Sequence, residues 1–525
     1  MIPTGRLKLL RDRKYLWLAL ALMLIGLGLG WQRGSNDSSP AIVMAPAPLM
    51  KPEDDRGLFG LTKLHHVQVT IPTSEWDVLQ TDTVVGRGGR GGARGGFGGP
   101  VGGPAAVVED DYTRASDGRM IHRGGGFGGI FPWVSADLQA GDTVLAHAGL
   151  RYKGNASYTA AQNQLRRNLK VKTDFFGKAP GWEEEKTIDF NAGALDPSRV
   201  RESLSFAVFR AAGVPAPRTA FAELTLTVPG QYEREYVGLY TVVEQVNKSF
   251  AKEFLPGGKG LLLKPEGLTG GIAYYGEDWA AYTGIYRPDR EATAAESQRV
   301  IDFARLVNRS GDIEFRREIS GYLEVDEFLR YVAVNALLVN LDSYLSGRHN
   351  FYLYLNPEND RFLFIPWDQD LSLGSFGGGR GGASGSVLDL SLLHPYTGQN
   401  PLITRVLAMP EMKQRYLEIV RQLVATAFSK ASLLGTIDAI EATTREPLAH
   451  ESRVMAERGE STSRPAFPGM IGRGVKPRDF VEQRLTSVQL QLAGKSEGTI
   501  PSGGFGGGGR GGPGGPPGRG GRGGF

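Results

Sequence analysis

Apolar and polar positions alternate along His65–Pro72 (HHVQVTIP), which predicts a strand. TSEWDVLQ follows with a Thr or Ser cap and acidic residues behind it, a helix start. Order is expected to resume near Phe131. DTVLAHAGLRYKGNAS predicts a strand running into a polar turn at Gly154 and Asn155, and NLKVKTDF (Asn168–Phe175) a second strand with Lys170 and Lys172 on one face. In Asp196–Gly213, Val200, Leu204, Ala207 and Val208 recur at helical spacing, with Asp196 as cap, Pro in the first turn and Gly213 as stop. Thr219–Val228 and Glu235–Val246 predict two more strands. The second half changes period. SQRVIDFARLVNRS predicts one helix. Val325–Asp342 predicts another, nearly all apolar in its C-terminal half and so buried. NFYLYLNPENDRFLFIPW predicts a β-hairpin turning at Asn356, Pro357, Glu358 and Asn359. PLITRVLAMPEMKQRYLEIVRQLVATAF, SLLGTIDAIEATTREPL and PRDFVEQRLTSVQLQLAG are helical. The fold class is α+β: a small mixed-sheet lobe over 61–255, then a mostly helical lobe over 256–495.

Composition adds segments to this pattern. Of the 74 Gly in 525 residues, many crowd into Gly86–Gly103, a cluster starting at Gly374, and Gly503–Phe525. Such stretches lose much backbone entropy on ordering and bury little, so an insert over about 83–130, another over 374–386 and a tail over 496–525 are expected to be disordered. The net charge of +4 is carried by these segments and by the basic residues of 1–14, so the remainder is mildly acidic. The basic balance therefore gives no support to nucleic-acid binding, and the Arg-Gly-Gly runs read as solvated arms.

Arg6, Lys8, Arg11, Arg13 and Lys14 precede the apolar run Tyr15–Trp31, which predicts a membrane anchor within 1–33. A cleaved signal peptide is the alternative. Either places the rest of the chain outside the cytoplasm, with 34–60 as stalk. The chain has no Cys, so no disulfide supports it.

The candidate chemistry sits around the hairpin: Asp342 and Asn350 before it, Asp368 and Asp370 after it. Two acids ending an apolar strand are costly without partners. A small sheet lobe, a long buried helix and a bracketed hairpin form the layout of protein kinases. There a catalytic Asp and a metal-binding Asn precede the hairpin, and a second metal-binding Asp follows it. The hairpin then returns the chain to the same ions. No His cluster completes a metal-hydrolase site around the two acids.

LRYKGNAS, NLKVKTDF, DPSRVRESLSFAVFRAAGVPAPRTAFAEL, YVGLYTVVEQV, NLDSYLSGRHNFYLYL and FIPWDQDLSLG together resemble the CotH family of spore-coat-type kinases, over roughly Gly149–Gly374. The resemblance implies a divergent, two-lobed, kinase-like protein that uses ATP and Mg²⁺ or Mn²⁺ to phosphorylate Ser or Thr of envelope or coat proteins. On that reading Asp342 takes the hydroxyl proton, while Asn350, Asp368 and Asp370 hold metal. Lys170 or Lys172 holds phosphate and pairs with Glu202. Arg151, Lys153 and the backbone of Gly154–Ser157 cradle phosphate. Main-chain groups of Glu244, Gln245 and Val246 meet adenine, Arg348 and His349 lie in the catalytic loop, and Lys264 is a further cleft candidate. A binding-only pseudokinase or envelope scaffold is the alternative. The sequence departs from ordinary kinases: Asn350 lies eight residues after Asp342, and no His-Arg-Asp or Asp-Phe-Gly triplet is present.

Overall fold

The computed structural model describes residues 49, 55–81, 112–114, 120–122, 131–265, 271–376, 387–460 and 474–501. The expected anchor (1–33), most of the stalk and most of the Gly-rich segments lie outside them.

The first half is built from β1 (Leu64–Thr70), α1 (Thr73–Leu79), β2 (Tyr112–Arg114), β3 (Met120–His122), β4 (Phe131–Ala140), β5 (Thr143–Tyr152), α2 (Ala156–Ala160), β6 (Leu169–Lys172), β7 (Thr187–Asn191), α3 (Arg201–Ala211), β8 (Thr219–Val228) and β9 (Tyr232–Glu244). The strands run β1-β8-β9-β7-β6-β5-β4, and β1 pairs back onto β4, so seven strands close a ring. Only the β1–β8 pairing of this ring is parallel. Register shifts between Ala136 and Leu138, and at two places along β8–β9, supply the bends that closure needs. The small mixed sheet expected from sequence is thus a barrel-like ring with its own core. Val67, Leu138, Leu150, Val171, Ile188, Phe190, Leu224 and Val242 fill it. Because side chains alternate, the residues between these fillers face outward. Arg151, Lys170 and Asp189 are such residues and stand directly opposite one another across β5, β6 and β7.

α1 forms as expected but has no side-chain cap; the Thr73 hydroxyl donates to the Pro229 carbonyl instead. α3 begins at Arg201, later than its sequence signals. Asp196 acts on the entry loop, accepting from the Arg201 backbone N–H at 2.8 Å. Every residue from Arg201 to Phe209 is buried, including Glu202, Ser203 and Ser205, so α3 is no amphipathic surface helix.

The second half holds α4 (Lys248–Phe254), β10 (Leu261–Leu263), α5 (Ala280–Tyr286), α6 (Ala294–Arg309), α7 (Asp312–Tyr322), α8 (Val325–Leu337), β11 (Phe351–Asn356), β12 (Arg361–Pro366), α9 (Pro401–Ala408), α10 (Pro410–Ala425), α11 (Lys430–Glu457) and α12 (Pro477–Leu492). The expected hairpin is β11–β12, with β10 added to its edge. Its closing pair is Asn356 with Arg361, which moves the turn to Pro357–Asp360.

α8 stops at Leu337, not Asp342. Val339 takes a φ of +50°, its N–H bonds Ala336 O at 3.1 Å, and Asn340 N–H bonds Asn335 O at 3.0 Å. This is a helix-ending pattern that usually carries Gly at the left-handed position. A β-branched residue there is strained. The buried Arg484 guanidinium of α12 caps the same helix end, donating to Ala336 O at 2.9 Å and Leu337 O at 3.3 Å. The chain is therefore turned sharply just before Asn340–Asp342. Among the described residues no single helix is long and apolar enough to cross a membrane.

Candidate active site

The acidic side is assembled at the open end of the hairpin. The Asp342 carboxylate is gripped from two directions: His349 Nε2 lies 3.0 Å from Oδ1, and Asn350 Nδ2 donates to the Asp342 carbonyl at 2.9 Å and to Oδ2 at 3.2 Å. Burial opposes charge on His349, but the Asp342 carboxylate outweighs it and raises the imidazole above its usual value. Asn350 spends its N–H donors on Asp342, so its Oδ1 is the atom left to act as an acceptor. Trp367 N–H bonds Asn350 O at 3.0 Å, which joins the two hairpin ends directly above the last strand pair. Asp368 follows at once, with a φ of +51°. Gln369 is fully buried and accepts from Asn340 Nδ2 at 2.8 Å, tying the loop after α8 to the Asp368–Asp370 turn. Val339, Arg348, Asn350, Asp368 and Leu373 are all non-glycine residues at positive φ. Such strain persists only where the surroundings over-determine it.

Burial and the neighbouring Asp342 push the Asp368 carboxyl upward. Asp370 is pushed well above the carboxylate range by burial and by Asp368, Glu202 and Asp342. Glu202, 3% exposed on α3, rises to about 8 through burial and Asp368. These carboxylates crowd one another beyond what their hydrogen bonds offset, the condition a divalent cation relieves.

The opposite side is basic. Lys153 lies 2.8 Å from Asp189 Oδ2 and 3.0 Å from Asn191 Oδ1. Lys170 lies 3.3 Å from Asp189 Oδ1 and donates to Gln245 Oε1 at 2.6 Å. Burial opposes charge on Asp189, but Lys153 and Lys170 more than compensate and hold it well below the usual carboxylate range. Lys170 falls to about 7 through burial, with Arg151, Lys153 and Lys264 adding repulsion. The two partners thus move unequally. Asp189 is shared, and Lys153 at the shorter distance is its principal partner. The buried Arg151 guanidinium lies 5.0 Å from the Trp133 ring centre, with its Nε unbonded.

The expected Lys170–Glu202 pair is not what forms. Glu202 is held by Asn191 Nδ2 at 2.7 Å, and Asn191 in turn holds Lys153. The lysine linked to α3 is Lys153, because β7 inserts between β6 and β9 and interposes Asp189 and Asn191. Lys172 shares the Lys170 face two residues further along β6, opposite Thr187 and Gly149. Gly154 has a φ of +92°, and a Cβ there would meet Ser157 Oγ at 2.3 Å. Asn155 makes no side-chain cap on α2. The Glu244 side chain is consumed by Arg218, whose guanidinium donates to both its oxygens at 2.6 and 3.1 Å, and the Val246 side chain is in the core. Their main-chain groups are engaged as well: the Glu244 N–H donates to Arg218 O at 3.0 Å and the Val246 carbonyl accepts from Gln245 Nε2 at 3.3 Å.

Asp189, Asn191, Asn340 and Gln369 were not found by sequence reasoning. The signal for the first pair was TIDFN, an alternating run with two polar residues; for the second, a Gln between two Asp. Gly494–Gly498 (GKSEG) has the Gly-x-Ser-x-Gly spacing of the nucleophile elbow of serine hydrolases. It follows α12 rather than a strand, however, and Ser496 Oγ accepts from Gly498 N–H.

Among the described residues no group of three or more His, Cys, Asp or Glu is placed to hold a metal by itself. Mg²⁺ needs only one or two carboxylates beside phosphate oxygens and water. Asp368, Asp370 and the Asn350 oxygen fit that donor chemistry.

A mixed α+β protein with acidic and basic side chains gathered at a hairpin mouth is the class that fold and site define. The family described as CotH kinase protein matches residues 150–484, and the chain belongs to it. The inner spore coat protein H of Bacillus subtilis (strain 168) is 25% identical over 257 residues, 46% of this chain. The match covers 64% of that relative's length.

Proposed function

We propose that this chain is an ATP- and Mg²⁺-dependent protein kinase with a divergent two-lobe, kinase-like arrangement, acting on Ser or Thr of envelope or coat proteins outside the cytoplasm. The observation that carries the reading is the meeting of Asp342, Asn350 and Asp368 at one hairpin mouth, opposite Lys153 and Lys170. Asp342, fixed between His349 and Asn350, accepts the acceptor hydroxyl proton as that oxygen bonds the γ-phosphorus and the bond to ADP breaks. Lys153, Lys170 and Arg151 hold the nucleotide phosphates, and Glu202 with Asn191 holds Lys153 in register. Asn350, Asp368 and Asp370 would hold Mg²⁺ or Mn²⁺, which supplies charge neutralisation to the phosphates. The coat-protein name of the relative and the basic, apolar N-terminus support an envelope location, with 1–33 as membrane anchor.

The test is transfer of labelled γ-phosphate to a Ser-rich protein by the full chain and by Asp342→Asn. Transfer by the wild type that is lost in the variant is expected. Nucleotide binding without any transfer would replace this reading with a nucleotide-binding scaffold.

A further inference from the structure

From Leu341 to Asn350 the loop that carries Asp342 is buried except at two positions, Arg348 and Asn350. Asn350 is accounted for by its grip on Asp342 and by its remaining oxygen. Arg348 has no such role, yet it is held firmly. Its φ is +54° and its N–H bonds Ser343 O at 3.0 Å. Its stem lies against Gly271, where a Cβ would meet Arg348 Cδ at 2.7 Å and Cβ at 3.4 Å. Gly271 is fastened in turn, its carbonyl accepting from the buried Tyr286 hydroxyl at 3.0 Å. The guanidinium at the end of this stem makes no hydrogen bond or ion pair among the described residues. Arg290 and Arg415, by contrast, spend their forks on the carboxylates of Glu296 and Asp326. Burial pushes the Tyr344 hydroxyl up while Arg348 draws it back, so that phenol stays neutral and gives the guanidinium no counter-charge.

A long side chain keeps a strained backbone only where its surroundings over-determine it. The end result here is a fixed stem with an unspent planar fork, which suits a carboxylate or phosphate bonded through two N–H groups at once. Position indicates whose anion it is. Arg151, Lys153 and Lys170 stand on β5, β6 and the loop after β5. Arg348 stands on the Asp342 loop, next in the chain to His349, whose ring touches the Asp342 carboxylate. Asp342 receives the proton of the acceptor hydroxyl on the kinase reading, so a side chain presented from its loop meets the residues that flank that hydroxyl. We propose that Arg348 is an acceptor-contacting, specificity-determining residue that takes an anionic side chain, carboxylate or phosphate, close to the target Ser or Thr. This rests on the kinase reading above and narrows its substrate class to Ser or Thr in an acidic or already phosphorylated setting.

The experiment uses the full chain as wild type, Arg348→Gln and Arg348→Lys, with Ser peptides that differ only in their flanking residues: Gln, Glu, phosphoserine or Lys. Peptide binding is read by fluorescence anisotropy, and phosphate transfer as kcat and KM for peptide and for ATP, with melting curves for each variant. The wild type is expected to bind the Glu or the phosphoserine peptide roughly tenfold or more tighter than the Gln peptide, as a charge-assisted fork allows. Which of the two shows the gain identifies the source of the anion. Arg348→Gln should erase the preference through the peptide KM. Arg348→Lys, which keeps the charge without the fork, should retain part of it. Equal binding of the Gln peptide and both anionic peptides by the wild type overturns the proposal, as does a preference for the Lys peptide. A preference for anionic peptides that survives in Arg348→Gln overturns it too, and so does a rise in the KM for ATP alone, which returns Arg348 to the nucleotide. Should Arg348→Gln fail to fold, Arg348→Lys and the wild-type comparison of Glu with Gln peptides carry the test. Anionic-peptide binding that is lost in Arg348→Gln, with no transfer by the wild type, removes the kinase reading and leaves an anionic-peptide site at Arg348. Neither binding nor transfer by the wild type overturns both.

Discussion

Two buried charge clusters in this molecule use the same ingredients and end differently. On α11, Glu451 is 6% exposed and accepts from Arg166 at 2.6 Å, from Arg199 at 3.0 and 3.1 Å, and from the Leu239 N–H at 2.7 Å. Two guanidiniums and a backbone donor surround one carboxylate. The node fastens α11 to β9 and to the approach to α3. At the candidate site burial pushes Glu202, Asp368 and Asp370 all upward, and neighbouring carboxylates add to it: Asp368 acts on Glu202, Asp342 on Asp368, and Asp368, Glu202 and Asp342 on Asp370. Satisfied charge builds structure; on the proposed reading, the charge left in conflict is what a bound cation relieves.

The largest expected effect separates the two clusters by function. Asp342→Asn and Asp368→Asn should each lower phosphate transfer by about 10²–10⁴-fold, the range for removing a positioned acid–base or charge-stabilising group. The melting curve should stay near that of the wild type. Parallel loss of structure in circular dichroism would return both residues to the scaffold.

Next comes Glu451→Ala. It leaves Arg166 and Arg199 buried without their partner, a change that costs about 3–5 kcal/mol. Denaturant unfolding should show that loss. Transfer per folded molecule should change far less than in Asp342→Asn.

A pH effect outside both clusters sharpens the contrast. Glu327 on α8 is 8% exposed, accepts from Phe364 N–H at 3.2 Å, and leaves Oε1 unbonded. Burial pushes it up to about 8. A carboxyl raised in the folded state binds its proton more tightly there. Its stabilising effect is therefore complete below its unfolded value and is lost as pH rises toward about 8. Melting temperature should decline across that window, and Glu327→Gln should flatten the decline. A wild-type melting temperature that does not move with pH would show Glu327 to be hydrated.

Much of the cleft's acidic side was legible in the sequence because it is local. Asp342, Asn350 and Asp368 lie on one continuous path around a hairpin, and pairing of β11 with β12 returns the chain to its start. The apolar run of α8 was legible too, but its end was not: stopping at Leu337 depends on Val339 accepting a strained φ and on Arg484 arriving from α12. The basic side was only half legible. Which lysine reaches α3 depends on β7 lying between β6 and β9, and on β1 closing the ring onto β4, pairings far apart in sequence. Asp189 and Asn191 sit on that strand, so the Glu202 expected to pair with Lys170 is linked to Lys153 through Asn191 instead.

The smallest effect is the most direct test of the central claim, that the cleft's carboxylates are held in conflict for function. It is the melting temperature of Asp370→Asn measured beside its transfer activity, with Glu451→Gln as the contrast. Removing one crowded charge should raise the melting temperature of the ligand-free protein by a few degrees, about 1 kcal/mol for a chain of this size, and lower transfer. Glu451→Gln should lower the melting temperature. If Asp370→Asn melts below the wild type as Glu451→Gln does, the cleft is an ordinary structural ion network and the account is wrong.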